Sequence, residues 1–84
     1  MTVAEAVREY VRETEDLELY EQEPENGLGI LVKGDNSYME VIMNLTKYFD
    51  DHNVDDVNME LEGVYAECQG DDVIVYFPEL EAQL

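Results

Sequence analysis

The amino-acid sequence predicts an α+β fold, in which a four-stranded, mainly antiparallel sheet carries two helices on one face. Residues 2–15 and 37–53 place apolar side chains at spacings of three and four, which is the period of a helix with one buried face. Each of these segments is followed by two stretches with strand patterning and a glycine-containing turn between them. The expected order is helix, hairpin, helix, hairpin, in a single domain of residues 1–84.

The first half begins with a capping box, because Thr2 is followed three residues later by Glu5, and its helix is expected to end near Glu15. Residues 17–22 then alternate apolar and polar side chains, as a half-buried strand does. A Pro-Glu-Asn-Gly turn leads into the returning strand, residues 28–33. That strand is apolar on both faces, which predicts a central position in the sheet.

The second helix is predicted at residues 37–53. Its tyrosines Tyr38 and Tyr48 lie on or beside the apolar face and are expected in the core or at its edge. Asp50 and Asp51 break a local rule, because they place negative charge at the negative end of the helix dipole. Such a departure is typical of residues retained for function.

The second pair of strands is predicted at residues 57–69 and 73–77. The apolar residues of the longer strand change from odd to even positions midway, so we expect a bulge near Gly63. Cys68 follows the apolar phase and is expected to be a small core residue. Residues 79–84 follow a proline and are expected to form a loose tail.

Composition argues against several classes of function. One cysteine and one histidine cannot form a disulfide or a thiolate–imidazole zinc site within the chain, so no metal or cofactor is expected. No apolar run approaches the roughly 18 residues of a membrane span, and the N-terminus lacks a signal-peptide pattern, which predicts a cytoplasmic protein. The carboxylates occupy polar positions of helices and strands rather than a secluded pair, so we do not expect an enzyme.

Acidic residues dominate the charge, which is -18 at pH 7, and they are unevenly distributed. Residues 1–26 carry -7, residues 27–49 are neutral, and residues 50–84 carry eleven acids and no basic residue. A surface this negative repels nucleic acid and anionic lipid and attracts basic proteins. We therefore expect neither nucleic acid nor a membrane as a direct partner.

The first interpretation of this charge is mimicry of nucleic acid. Carboxylates on a rigid scaffold would replace phosphates and occupy the basic cleft of a nucleic-acid-binding protein, which inhibits that protein by occlusion. An exposed tyrosine among acids suits arginine-rich surfaces. The residues expected to contact the partner are those of the base-free third, namely Asp50, Asp51, Asp55, Asp56, Glu60, Glu62, Tyr65, Glu67, Asp71 and Asp72.

In size, charge and α+β pattern the whole chain resembles the small acidic inhibitors that phages and mobile elements direct against host defence nucleases. These are the anti-CRISPR and anti-restriction DNA mimics. No diagnostic motif is shared, so no functional residue is carried over from that family. The resemblance implies a non-enzymatic, stoichiometric partner of a nucleic-acid-binding effector, acting in the host cytoplasm if the protein is encoded by a phage.

The alternative interpretation is adaptation to a halophilic host, whose cytoplasmic proteins are acidic in order to remain soluble in concentrated salt. Ten valines and only two lysines suit this alternative, whereas the excess of fourteen glutamates over eight aspartates suits it less well. The protein would then be a small interaction or regulatory domain. Its neutral central segment, residues 27–49, would be the surface of a homodimer.

Overall fold

A computed structural model describes residues 1–34, 37–54 and 57–82. It confirms the α+β class, with two main helices and a four-stranded antiparallel sheet. The predicted order is not matched, because a third, short helix separates the second main helix from the last two strands. The elements are α1 (Val3–Glu13), β1 (Leu17–Tyr20), β2 (Leu28–Val32), α2 (Tyr38–Asp51), α3 (Val57–Glu60), β3 (Tyr65–Gln69) and β4 (Asp72–Phe77).

The strands lie in the order β1-β2-β4-β3, so that β2 and β4 are central and β1 and β3 form the edges. The central position of β2 confirms the prediction from its two apolar faces. All three pairings are antiparallel, and residues directly opposite each other share a face of the sheet. One face is covered by α1 and α2 and contributes the core residues Leu17, Leu28, Ile30, Val32, Val75 and Phe77.

The other face, which we call the open face, carries the alternate residues of each strand. It consists of Glu18, Tyr20, Gly29, Leu31, Tyr65, Glu67, Gln69, Asp72, Ile74 and Tyr76.

The first helix begins as its capping box predicts. The backbone N–H of Glu5 donates to the Thr2 hydroxyl at 3.1 Å, and that hydroxyl donates to the Glu5 carboxylate at 3.1 Å. The helix ends at Glu13, two residues earlier than expected, and Asp16 adopts a positive φ of 66°. Its apolar side, including Val3, Val7 and Val11, is buried.

The second helix buries Val41, Leu45 and Phe49 against the sheet. The expectation that Tyr38 belongs to the core or its edge is wrong, because 40% of this residue is exposed. Tyr38 is the first residue of the helix, so one side of its ring has no preceding turn to cover it. Tyr48 is half-buried, and its ring packs edge-on against that of Tyr10 at 5.5 Å.

The prediction of a strand at residues 57–69 is wrong for the part before β3, which begins at Tyr65. Val57–Glu60 is a helical turn, in which the N–H of Leu61 donates to the Val57 carbonyl at 3.0 Å. The change of phase is therefore a change from helix to strand and not a bulge. Gly63 lies in the connecting turn with a φ of +80°, which glycine adopts without steric cost.

Two further expectations about the second half fail. Cys68 is exposed, because β3 is an edge strand and all five of its residues are exposed. The prediction of a loose tail at residues 79–84 is wrong at Leu80, because this residue is only 3% exposed and belongs to the core. The N–H of Leu28 donates to the Leu80 carbonyl at 3.0 Å, which ties this segment to the start of β2.

Candidate partner-binding surface

Three tyrosines form a row across the open face, which we call the tyrosine row: Tyr20, Tyr76 and Tyr65. Tyr65 lies opposite Tyr76 on adjacent strands, with ring centroids 5.2 Å apart, while Tyr20 and Tyr76 are separated by the strand that carries Gly29. Tyr20 reaches across this glycine, and its ring packs edge-on against that of Tyr76 at 6.1 Å. A Cβ at Gly29 would lie 2.9 Å from the Tyr20 carbonyl oxygen, so the close approach requires glycine.

Tyr76 is the centre of the row and is only 2% exposed, although it lies on the face that no helix covers. Its neighbours in the row provide the burial. Its hydroxyl donates to the Glu23 carboxylate at 2.9 Å. Burial and, to a lesser degree, this hydrogen bond raise the pKa of Tyr76 well above its ordinary value.

The raised pKa predicts a loss of stability in alkali. The folded protein holds the Tyr76 proton to higher pH than the unfolded chain, whose tyrosines ionise near pH 10. The stabilisation is therefore complete below pH 10, and the free energy of unfolding falls as the pH rises further. Urea denaturation followed by circular dichroism from pH 8 to about pH 11.5 would measure this fall. Tyr76→Phe should show a shallower fall, and the exposed Tyr38→Phe is the control; equal slopes for Tyr76→Phe and the unmodified protein would contradict the assignment.

A shallow pocket of about 190 Å³ lies beside the tyrosine row. The carboxylates of Glu23 and Glu67 line it together with Tyr20, Tyr76 and Ile74. Aromatic rings attract cations, and carboxylates pair with guanidinium groups in a planar, two-pronged arrangement. The combination suits an arginine or lysine side chain of a partner.

Among the described residues, three basic side chains form ion pairs with carboxylates of the same chain. Arg8 pairs with Glu21, Arg12 with Glu9 at 2.9 Å, and Lys33 with Glu18 at 2.6 Å. The pairs of Arg12 and Lys33 are exposed and contribute little to stability, whereas the side chains of Arg8 and Glu21 are only 19% and 20% exposed. The consequence of the three pairs is electrostatic, because they engage three basic side chains with carboxylates of residues 9–21.

The predicted contact residues do not form one cluster. Phe49 and Phe77 line the same hollow, so α2 ends near the C-terminal end of β4, where Asp50 and Asp51 are exposed. Asp71 lies in the turn before β4, at the opposite end of a strand that spans about 17 Å.

Leu61 lines the same hollow as Phe49. Its neighbours, the half-buried Glu60 and the exposed Glu62, therefore lie at the end of the sheet where α2 ends. Tyr65, Glu67 and Asp72 lie on the open face, and Asp72 accepts a hydrogen bond from the Gly34 N–H at 2.9 Å. Asp55 and Asp56 lie outside the described residues.

The sequence interpretation missed the parts of the site contributed by Tyr76 and Glu23. Side chains alternate between the two faces of a strand, so Tyr76 is expected on the face of β4 that does not carry its neighbours Val75 and Phe77. Its contact with Glu23 could not be predicted in this way, because the two residues are 53 positions apart and meet only through the pairing of β2 with β4.

His52 has a structural position at the end of α2. Its Nδ1 donates to the Tyr48 carbonyl at 2.9 Å, and its ring stacks on that of Tyr48 at 4.0 Å. The Tyr48 carbonyl also accepts from the His52 backbone N–H at 3.1 Å, so the imidazole adds a second hydrogen bond at the helix end. Within residues 1–34, 37–54 and 57–82, no three histidine, cysteine, aspartate or glutamate side chains lie close enough to hold a metal ion.

The fold and this surface define a small α+β domain with an acidic, tyrosine-bearing sheet face. No protein-family model, curated protein or solved structure matches the chain. In the part of the chain that the structure describes, no helix combines the length and the apolar character needed to cross a membrane.

Proposed function

We propose that this protein is a non-catalytic, acidic binding protein that mimics nucleic acid and occludes the basic cleft of a nucleic-acid-binding protein. The observation that carries the proposal is the density of its charge. Eighteen net negative charges over a longest dimension of 34 Å amount to about one charge per 1.9 Å, against about one per 1.7 Å of duplex DNA. A basic cleft shaped for a duplex would therefore meet a similar negative potential.

The position of the carboxylates supports the same proposal. Every acidic side chain for which the structure describes burial is exposed or half-buried, so its charge remains at the surface. The ion pairs of Arg8, Arg12 and Lys33 are made with carboxylates of the first half of the chain, and the segment from Asp50 onward contains no basic residue, although Lys33 lies close enough to interact with Asp72. Such a surface also accelerates association with a basic partner.

The tyrosine row provides a preference for arginine, which negative charge alone does not provide. The ring of Tyr65 is 40% exposed, and the carboxylate of Glu67 lies on the same face two residues away. An arginine of the partner can stack on the ring while it pairs with the acid. This arrangement favours a cleft rich in arginine over a surface that is merely positive.

The test is a competition on immobilised duplex DNA. DNA-binding proteins retained on the DNA at about 0.1 M salt are challenged with this protein, and the eluate is compared with that from polyglutamate of equal total charge. A mimic releases a discrete protein in a stoichiometric complex, and free duplex DNA competes for that complex. Release of the same proteins by polyglutamate, or no release at all, would overturn the proposal.

A pair of charge variants locates the contact. Asp50, Asp51, Asp55 and Asp56 changed together to asparagine should abolish capture with the fold intact. The matched control changes Glu13, Glu15 and Glu25 to glutamine and Asp16 to asparagine, so the protein has the same net charge as the first variant but loses its four carboxylates from the first half of the chain. Equal loss in both variants would show that total charge, and not this cluster, determines binding.

Folding at low salt separates mimicry from halophilic adaptation. A mimic must be folded at about 0.1 M salt, where its partner binds nucleic acid, whereas a halophilic protein with this self-repulsion requires molar salt. Circular dichroism across this salt range measures the difference. A requirement for molar salt would favour the halophilic alternative.

A further inference from the structure

A groove runs between α2 and the edge strand β3. It consists of two adjoining hollows of about 370 and 220 Å³, which share Ile42 and Val64. The larger hollow is also lined by Tyr38, Tyr65, Ala66 and Val75. Ala66 lies opposite the buried Val75, and its small side chain leaves the space beneath α2 unfilled.

The rim of this groove on the α2 side is apolar. Met39 and Met43 are exposed and lie within three or four positions of Ile42 and Thr46, which line the hollows. The opposite side of α2 packs against α1 through Tyr48, so these methionines extend the groove and not the helix interface. Methionine adapts its shape to varied partners and is common at binding surfaces.

The strand beside the groove has a free edge. All five residues of β3 are exposed, and within the described residues the strand pairs with β4 alone. The backbone N–H and C=O groups on its outer side are therefore available to a further strand. A strand added there would point alternate side chains into the groove and toward Tyr65, Glu67 and Gln69 on the open face.

Charge distinguishes this edge from the other one. The hollow beside β1 has a mixed lining, in which Arg8 and Arg12 lie with Glu15, Asp16 and Glu18. In the described part of the chain, no basic residue lines the hollows beside β3, and Glu23 and Glu67 line the one on the open face. A second copy is disfavoured at β3, because each copy carries -18 and a symmetric pairing centred on Glu67 sets that carboxylate against itself.

We propose that β3 and the adjoining groove bind an extended segment of a basic protein as a fifth, antiparallel or parallel strand. The segment alternates apolar residues, which enter the groove between Ile42 and Ala66, with arginine or lysine residues, which face Glu67. The inference rests on the proposed function for one point, namely that the partner is a basic protein. It goes further by naming the recognised element and the edge that receives it.

The test uses a synthetic peptide of about eight residues that alternates valine and arginine. We expect saturable binding at about 0.1 M salt, with a dissociation constant below about 100 µM, and slower hydrogen exchange of the β3 backbone amides in NMR spectra. A peptide of the same composition with its arginines and valines in two blocks should bind at least tenfold more weakly. Equal binding of the two peptides, or binding without protection of β3, would overturn the inference.

Variants of the protein separate groove from charge. Ala66→Gln fills the groove without a change of charge and should weaken binding of the alternating peptide more than tenfold. Glu67→Gln should weaken it two- to fivefold, whereas Glu18→Gln on the opposite edge strand should leave it unchanged. Circular dichroism verifies folding, and if Ala66→Gln does not fold, the comparison of Glu67→Gln with Glu18→Gln and the exchange data decide the matter.

The peptide experiment and the DNA competition fail independently. Release of a DNA-binding protein without any binding of the alternating peptide would overturn the fifth strand and leave the mimicry in place. Protection of β3 by the peptide without any release from DNA would overturn the mimicry and leave the fifth strand in place. Protection of β3 that rises with protein concentration alone would show that the edge serves a second copy, and would overturn the basic segment as its occupant.

Discussion

Replacing Gly27 with alanine is expected to destabilise the protein strongly. Gly27 has a φ of +86° and a ψ of -167°, in a region of backbone conformation that is almost exclusive to glycine. A Cβ at this position would lie 2.2 Å from the Phe77 carbonyl oxygen and 2.8 Å from the Pro78 Cα. Both contacts are with backbone, so no side chain can move aside to relieve them.

The backbone near Phe77 is itself held in place. Phe77 pairs with Leu28 at the end of the sheet, and its carbonyl accepts from the Leu80 N–H at 3.0 Å. Relief of the clash therefore breaks sheet pairing or this turn. We expect a loss of at least about 3 kcal/mol, which is a large part of the stability of so small a domain.

Urea denaturation measures this loss, with Gly70→Ala as the control. Gly70 also has a positive φ, of +64°, but a Cβ there would meet no atom within 4 Å. Alanine at Gly70 should therefore cost only about 1–2 kcal/mol of conformational strain. If the two variants lost equal stability, the close approach of Gly27 to Phe77 would be contradicted.

Leu80→Ala is expected to remove about 2–5 kcal/mol from the free energy of unfolding. The side chain is 3% exposed and packs in the same core as Leu28 and Phe77, so truncation leaves a cavity beneath the sheet. Its backbone also closes the sheet end, since its carbonyl accepts from the Leu28 N–H. The C-terminal segment thus contributes to folding, although its sequence predicts a loose tail.

Glu79→Ala is the matched control for this prediction. The neighbouring Glu79 is exposed, and its truncation should change stability by no more than about 0.5 kcal/mol. Thermal or urea unfolding of both variants at one pH and one salt concentration provides the comparison. Equal stability of Leu80→Ala and Glu79→Ala would mean that the segment does not pack in the core in solution.

The helices illustrate what local pattern predicts well. The capping box at Thr2 and the apolar period of α1 and α2 act within a few residues, so the starts and buried sides of these helices follow from neighbouring side chains. The apolar run of Ile30, Leu31 and Val32 similarly predicts a central strand, because only a covered strand needs apolar residues on both faces.

Local sequence pattern predicted the wrong structure in two situations. In one, a short segment fits both the helical and the strand period; in the other, burial depends on elements from elsewhere in the chain. Val57 and Leu61 are four residues apart and fit either a helix or a strand in a short window, and the helical turn is the one that forms. The apolar phase of Cys68 indicates a buried face, but its position on an edge strand exposes it. Neither outcome is encoded within the segment alone.

Charge and local periodicity do not depend on contacts with other parts of the chain. The sequence is therefore enough to predict the acidic, base-free third, the two amphipathic helices and the central strand. Where the acids lie on the surface depends on the tertiary structure. The pairing of β2 with β4 creates the open face, brings Glu23 to Tyr76 and separates Asp50 from Asp71. The physical reason is that strand pairing joins residues distant in sequence, so the composition of a surface can be predicted before its arrangement can.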